Sequence, residues 1–321
     1  MNSNFFRKSI VISTLLISFA LCSSWTYTNS DSSADKWGKV VSKMCDGVRQ
    51  SPIPLEYGKA LYDPNLKPVS VYQNGKFSAS ENFTMENNGH TLMVSLPSCK
   101  YFLQLNGKKD GVFCIKQFHF HWGINSSVGS EHTIEGKAFP LEMHIVTYDN
   151  NLYPNFSEAS KGVDGLAVLG LVFHEDRTIP VQNTMLYKMG VFLQKVDKVK
   201  HPMAKADLPA FPVTALLDVG SANTKFYRYD GSLTTPPCTE NVYWTVISTS
   251  IPVRPEQLNA MRYIEYPTSE NLRNMGNNFR TPKQINPEDV VVPRVVFRSW
   301  NPASRANLSP LLLLSIIILR F

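Results

Sequence analysis

Two of the chain's seven histidines, His119 and His121, stand two positions apart in the aromatic run FHFHWG (118–123). In a strand, side chains alternate between faces, so a spacing of two puts both imidazoles on one surface. A single buried imidazole is ordinary core chemistry. Two on one face call for a shared partner, and a metal ion is the commonest. The third ligand has to come from a neighbouring element, and PLEMHIV (140–146) offers His144 inside another strand-like run. Three neutral imidazoles without a thiolate suit Zn²⁺ with a fourth position open to water; closed structural zinc sites draw more on cysteine.

A metal-bound histidine needs its other ring nitrogen held by an acceptor. Gln117 lies two residues before His119, and Glu142 stands in the same relation to His144. Strand parity therefore predicts an orienting group beside two of the three ligands. An H-x-H pair also occurs in cupin-type iron sites, but those need a carboxylate soon after the second histidine. Here Ile124 and Asn125 follow instead.

The elements that must position these side chains read mainly as strands. Runs 90–96, 100–105, 112–122, 141–148, 165–173, 225–232, 241–248 and 290–297 are rich in aromatic and β-branched residues. Helical periodicity predicts one short helix in 180–195 and another in 255–264. No internal repeat and no long linker interrupts residues 30–298, and 21 prolines imply much irregular loop. The expectation is a mostly β single domain with short peripheral helices.

The two ends read differently. Residues 1–24 carry Arg7 and Lys8, then an apolar stretch from Ile10 to Leu21, then small residues. That pattern predicts a secretory signal peptide, the alternative being a buried N-terminal helix. Residues 299–321 end in LSPLLLLSIIILRF, an apolar run too short to span a bilayer comfortably. It reads as a GPI-anchor signal, with Ser299, Asn301, Ala303 or Ser304 as acceptor, or else as a short hydrophobic anchor with Arg320 snorkelling.

Once Cys22 leaves with the signal, four cysteines remain, as expected of two disulfides in an exported chain. Three pairings are open. Cys99 and Cys114 flank a predicted hairpin and could meet across it, which leaves Cys45 with Cys238. Sequons at Asn82, Asn125 and Asn155 fit a glycosylated surface. The net charge of +6 is spread along the chain, with no basic run that suggests nucleic acid.

QFHFHWG (117–123), GSEHT (129–133), LEMHIV (141–146) and GSLTTPPCTENVYWTV (231–246), in this order, resemble the α-class carbonic anhydrases; QSPI (50–53) and NNGH (87–90) add to the match. The resemblance covers roughly residues 25–298. It implies a large, twisted, mainly antiparallel central sheet, with zinc on His119, His121 and His144 at the base of a conical cleft. It implies reversible hydration of carbon dioxide to bicarbonate and a proton, and inhibition by sulfonamides or anions. Thr234 would orient the attacking hydroxide and donate its own hydrogen bond to an ionised Glu131. Val146, Val168, Leu233, Val242 and Trp244 would form the dry wall for CO₂, though each could be ordinary core packing. Thr235 would lie beside bicarbonate or an inhibitor.

By the same resemblance, His90 would relay the proton and Asn88 and Tyr27 would order the connecting waters. The Cys45–Cys238 pair resembles the disulfide of the secreted and membrane-anchored members, and with the expected signal peptide and C-terminal anchor the expected location is the outer cell surface. Met93 departs from the Asn or Gln common at its position, which predicts an altered sulfonamide preference. His132 would belong to a buried hydrogen-bond network, while His174 and His201 receive no role. A non-catalytic module on this scaffold would typically lack one or more of the three histidines, all of which are present. Hydrolysis of small activated esters would be a side reaction of the same site.

Overall fold

The computed structural model describes residues 25–27, 33–78, 80–106, 111–190, 193–217, 225–267, 272–287 and 291–301. The expected signal peptide lies outside the described residues, as does the expected tail beyond residue 301. No helix among the described residues is long and apolar enough to cross a membrane.

The aromatic and β-branched runs build one twelve-stranded sheet. In chain order its strands are β1 (Leu61–Tyr62), β2 (Ser70–Gln73), β3 (Asn82–Asn87), β4 (Leu92–Ser95), β5 (Tyr101–Leu105) and β6 (Gly111–Trp122). They continue as β7 (Leu141–Tyr148), β8 (Leu166–Glu175), β9 (Lys205–Pro209), β10 (Phe226–Gly231), β11 (Val242–Val253) and β12 (Phe297–Arg298). The spatial order is β9-β3-β4-β6-β7-β8-β11-β10-β12-β1, with β5 joining β2 to β6 beside that path. All pairs are antiparallel except β8–β11 and β12–β1. The sheet is thus mixed but mainly antiparallel, and the helices are few and short.

Both faces of the sheet are covered by apolar residues. Phe118, Phe120 and Trp122 from β6, Leu141, Met143 and Ile145 from β7, and Ala167, Leu169 and Leu171 from β8 point into the larger cluster. Val146, Val168, Val242, Trp244 and Val246 belong to a smaller cluster on the other side. One detail of β6 controls the site. Phe113 and Ile115 face the larger cluster, yet so do Phe118, Phe120 and Trp122, although the parity differs. The register against β7 shifts between Ile115 and Gln117. An extra residue in one strand reverses which face every later side chain occupies. The bulge therefore delivers Gln117, His119 and His121 to the face opposite the larger core.

Two sequence expectations change. Among the described residues of the run 290–297, 291–296 are not in a strand and only Phe297–Arg298 pairs. Pro293 cannot donate to a ladder. Arg294 is turned inward, where its guanidinium donates to the carbonyls of Gln50 (2.9 Å) and Gln284 (3.2 Å). The single helix expected in 180–195 is broken into Met185–Lys188 and Leu193–Val196. Gly190, at φ +70°, follows the first of these in the left-handed conformation that ends helices. The second expected helix is present as Pro255–Arg262, with Pro255 in its first turn.

Both disulfides form. Cys45 bonds Cys238 across 193 residues and Cys99 bonds Cys114. The first sits in a small cluster with Trp25 and Trp37 and staples the N-terminal segment to the loop before β11.

Candidate metal centre

Register brings the three histidines together. In the β6–β7 ladder His119 lies directly opposite His144, and His121 opposite Glu142. Opposed side chains on one sheet face are near neighbours. Each ring is held at one nitrogen by an acceptor oxygen. His119 Nδ1 donates to Gln117 Oε1 (3.0 Å), His121 Nδ1 to the Asn278 carbonyl (2.8 Å) and His144 Nε2 to Glu142 Oε1 (2.7 Å). These bonds fix the tautomers. The bare nitrogens are then Nε2 of His119, Nε2 of His121 and Nδ1 of His144, and one ligand atom from each ring lies within 4.8 Å of the others.

His121 Nε2 and His144 Nδ1 are 3.1 Å apart, yet neither carries a proton for the other. The spacing is that of two ligands on one ion: tetrahedral zinc with bonds of 2.0–2.1 Å separates its nitrogens by about 3.3 Å. Burial holds all three imidazoles below their usual pKa, His121 down to about 3; repulsion from the other triad rings adds to it at His119 and His121, while at His144 the Glu142 carboxylate opposes it. They are neutral at physiological pH, as zinc ligands must be.

A second cluster, His132, Glu142 and His144, also brings ligand-type atoms together. Its donors and acceptors are already committed. Glu142 Oε1 accepts from His132 Nδ1 (2.7 Å) as well as from His144, and Oε2 accepts the backbone N–H groups of Glu131 (2.9 Å) and His132 (2.8 Å). The Tyr229 hydroxyl lies 2.6 Å from His132 Nε2 and 3.1 Å from Ser51 Oγ. Burial opposes ionisation of Glu142, but His132 and His144 outweigh it and hold the carboxyl below the usual carboxylate range. This is a brace for His144 rather than another ion site. Gly170, opposite His144, leaves it room; a Cβ there would lie 3.3 Å from Glu142 Oε1.

Glu131 is buried beside the triad. Its Oε1 accepts the Arg280 backbone N–H (2.8 Å) and lies 3.4 Å from His121 Nδ1. Burial and the Glu142 charge push its pKa well up, while the Thr234 hydroxyl and Arg280 draw it back. Its Oε2 has no partner in good hydrogen-bond geometry.

Val146, Val168, Val242 and Trp244 are buried together, with Leu233 partly buried against them. The Trp244 ring centroid lies 4.8 Å from that of His144, so this apolar wall adjoins the metal face. Thr234 is buried and Thr235 half-buried in the same loop. Met93 is opposite His119 in the β4–β6 ladder.

His90 is half-buried and stacked on Trp25 at 3.8 Å, with Nε2 lacking a partner; burial pushes its pKa down to about 4. Asn88 Oδ1 accepts the backbone N–H groups of His90 (3.0 Å) and Thr91 (2.9 Å), so it shapes the turn that carries His90. Tyr27 packs against Trp25 and Trp37, and burial raises its pKa well above the usual value. Asn82, Asn125 and Asn155 are all exposed.

Sequence reasoning missed Asn278. Its carbonyl holds His121, its Oδ1 accepts the Trp122 N–H (2.7 Å), and its Nδ2 donates to the carbonyls of His90 (3.1 Å) and Phe120 (3.0 Å). It lies in an irregular stretch with no periodicity, so only its long-range contacts identify it. Arg280, whose guanidinium donates to Gln50 Oε1 and to the carbonyls of Ser51 and Cys45, was missed for the same reason.

The sequence model of the eukaryotic-type carbonic anhydrases matches residues 32–294. Human carbonic anhydrase 12 is 35% identical over 290 residues, which is 87% of this chain and 74% of that protein. Human carbonic anhydrase 7 is 33% identical over 81% of this chain and 94% of its own length. Human carbonic anhydrase 6 is 38% identical over 70% of each. With the histidine triad folded as a zinc site and a family match over most of its length, the chain belongs to the eukaryotic-type, or α-class, carbonic anhydrases.

Proposed function

We propose that this protein catalyses the reversible hydration of carbon dioxide, with zinc held by His119, His121 and His144. The observation that carries the reading is the set of three neutral imidazole nitrogens, turned toward one point by three separate acceptors and flanked by a dry wall. Zinc at that point lowers the pKa of a bound water to about 7, which makes a nucleophile available at neutral pH. The chain's own groups do the rest. Thr234 Oγ1 donates toward Glu131 and keeps its lone pairs for the cleft, which orients the attack. Glu131 has to be ionised for this, and the positive charge of the ion opposes the upward push of burial and Glu142. Val146, Val168, Leu233, Val242 and Trp244 exclude water beside His144 and suit an apolar gas. Thr235 flanks the position of bicarbonate or of a sulfonamide or anion inhibitor, and Met93 bounds the side next to His119.

Proton export falls to His90. A ring of pKa about 4, stacked on Trp25, is a poor acceptor from a donor near pKa 7. Leaving the stack for the cleft restores water around the ring and its usual basicity. Asn88 and Tyr27 serve the waters of that path.

The protein follows the secretory route. Its two disulfides suit an oxidising compartment, and the exposed sequons at Asn82, Asn125 and Asn155 suit glycans. Residues 1–24 act as signal peptide, 25–298 form the catalytic domain, and 299–321 tether it to the outer cell surface, through a GPI lipid or as a short anchor. Release from cells by a phosphatidylinositol-specific phospholipase supports the lipid; full retention refutes it. For catalysis, stopped-flow CO₂ hydration and zinc content are measured together. His119→Ala is expected to lose both, and a metal-free variant with full activity overturns the assignment.

A further inference from the structure

The last described residues, Phe297 to Asn301, are packed at a defined corner of the fold. The Tyr57 hydroxyl donates to Asn301 Oδ1 (3.3 Å), and the Trp300 ring packs on Tyr227 at 5.0 Å. The Arg298 guanidinium lies 3.9 Å over Tyr57 and 5.6 Å from the Tyr62 ring. Through β12, Phe297 pairs with Leu61 and Arg298 with Tyr62. Asn301 is therefore held close to β1.

That corner is apolar and uncovered. Leu61 is 59% exposed, Tyr62 40% and Val295 42%, although Leu61 and Tyr62 are strand residues at the sheet's end. Further along the same segment, Val291 is 94% and Val292 77% exposed. They are presented to solvent from a stretch tied down at Arg294, whose backbone N–H donates to Asn286 Oδ1 (2.7 Å). The charges at this corner are already paired: Lys59 with Glu56 (2.8 Å), and the Arg298 guanidinium with the carbonyls of Ala60 and Trp300, so the uncovered surface is the apolar one.

The residues beyond Asn301 identify the surface such a corner would meet. The apolar run begins at Leu311, ten residues on. Ten residues span at most about 33–36 Å, and a lipid on Ser304 would lie about 10 Å from Asn301. A bilayer that holds the tail therefore lies no farther than about 36 Å from Asn301, a range that includes contact with Leu61 and Tyr62. We propose that Leu61, Tyr62, Val291, Val292 and Val295 form a seat on the zwitterionic outer leaflet, so that the tether fixes the domain's orientation as well as its location. Tyrosine rings favour headgroup depth, and the valines enter just below it. The inference rests on the tethering proposed above.

The test uses the chain purified with its tail or lipid from expressing cells and reconstituted into phosphatidylcholine vesicles. Half of the preparations contain lipid brominated just below the headgroup. Trp25, Trp37, Trp122 and Trp244 are buried, which leaves half-buried Trp300 at the corner as the responsive ring. Brominated lipid is expected to lower tryptophan emission, and Trp300→Phe to abolish that loss. Val291→Ser with Val292→Ser is expected to reduce the quenching by about twofold or more, with flotation and CO₂ hydration unchanged. Vesicles that float with the protein but leave its emission unquenched overturn the seat alone. Failure to float overturns the tethering and the seat with it. A dimer in detergent that the double substitution dissociates identifies the face as an interface between copies, which also overturns the seat.

Discussion

Glu142→Gln isolates the brace behind His144. Glu142 accepts four hydrogen bonds, two at each oxygen: His132 Nδ1 and His144 Nε2 at one, two backbone N–H groups at the other. Glutamine keeps a single acceptor oxygen. If that oxygen faces the backbone, its NH₂ faces two ring nitrogens that must become acceptors. His144 then carries its proton on Nδ1, the atom the ion needs. If the amide is flipped, His144 keeps its tautomer but two buried N–H groups lose their partner, at about 1–3 kcal/mol each. Either orientation costs something the wild type does not lose. The expected result is a zinc affinity lower by about 10–100-fold, equivalent to about 1.4–2.7 kcal/mol. Competition with a chelator at neutral pH measures the affinity, and denaturant unfolding of the metal-free chain measures the stability. An affinity within about twofold of wild type, with an unchanged unfolding midpoint, would refute the reasoning.

Cys45→Ser with Cys238→Ser opens a covalent loop of 193 residues; on the chain-entropy account this costs about 5 kcal/mol, read as a lower denaturant midpoint than for wild type. His90→Ala is expected to slow CO₂ hydration at low buffer by on the order of tenfold or more, with recovery as buffer concentration rises; a rate independent of buffer in both proteins removes the relay. The metal-free chain should lose stability in acid. Burial depresses the folded pKa of His121 and His144 below the unfolded 6.5, so their contribution is present above that value. As pH falls from 6.5 toward about 3, the His121 contribution is lost at up to about 1.4 kcal/mol per pH unit, and the His144 contribution falls in the same direction. Unfolding midpoints that stay level across that window contradict the neutral, buried assignment.

The strands of the sheet's centre were readable because each is a run of β-branched and aromatic residues with its own turn signals. The run 290–297 had the same composition, but Pro293 and the inward Arg294 remove it from the ladder, and composition does not register where a side chain finds its partners. The 180–195 stretch failed at Gly190, where a local backbone conformation cuts a periodicity that otherwise continues. Gln117 and Glu142 were found from parity alone, because orienter and ligand lie two apart on one strand. Asn278 and Arg280 were not, because each acts on residues about 150 positions or more away.

By itself the sequence determined which atoms are available: three imidazoles, two orienting groups in step with them, four cysteines beyond residue 24 and a β-rich body. Those follow from local spacing, since a strand's period of two is fixed by covalent geometry. Tertiary structure decided that the rings meet. The β6 bulge turns His119 and His121 away from the main core, and the β6–β7 register sets His119 against His144. Asn278 and Glu142 then choose the free nitrogen on two of the rings. Each of these depends on distant segments being held together by the core, a constraint that no short stretch of chain contains.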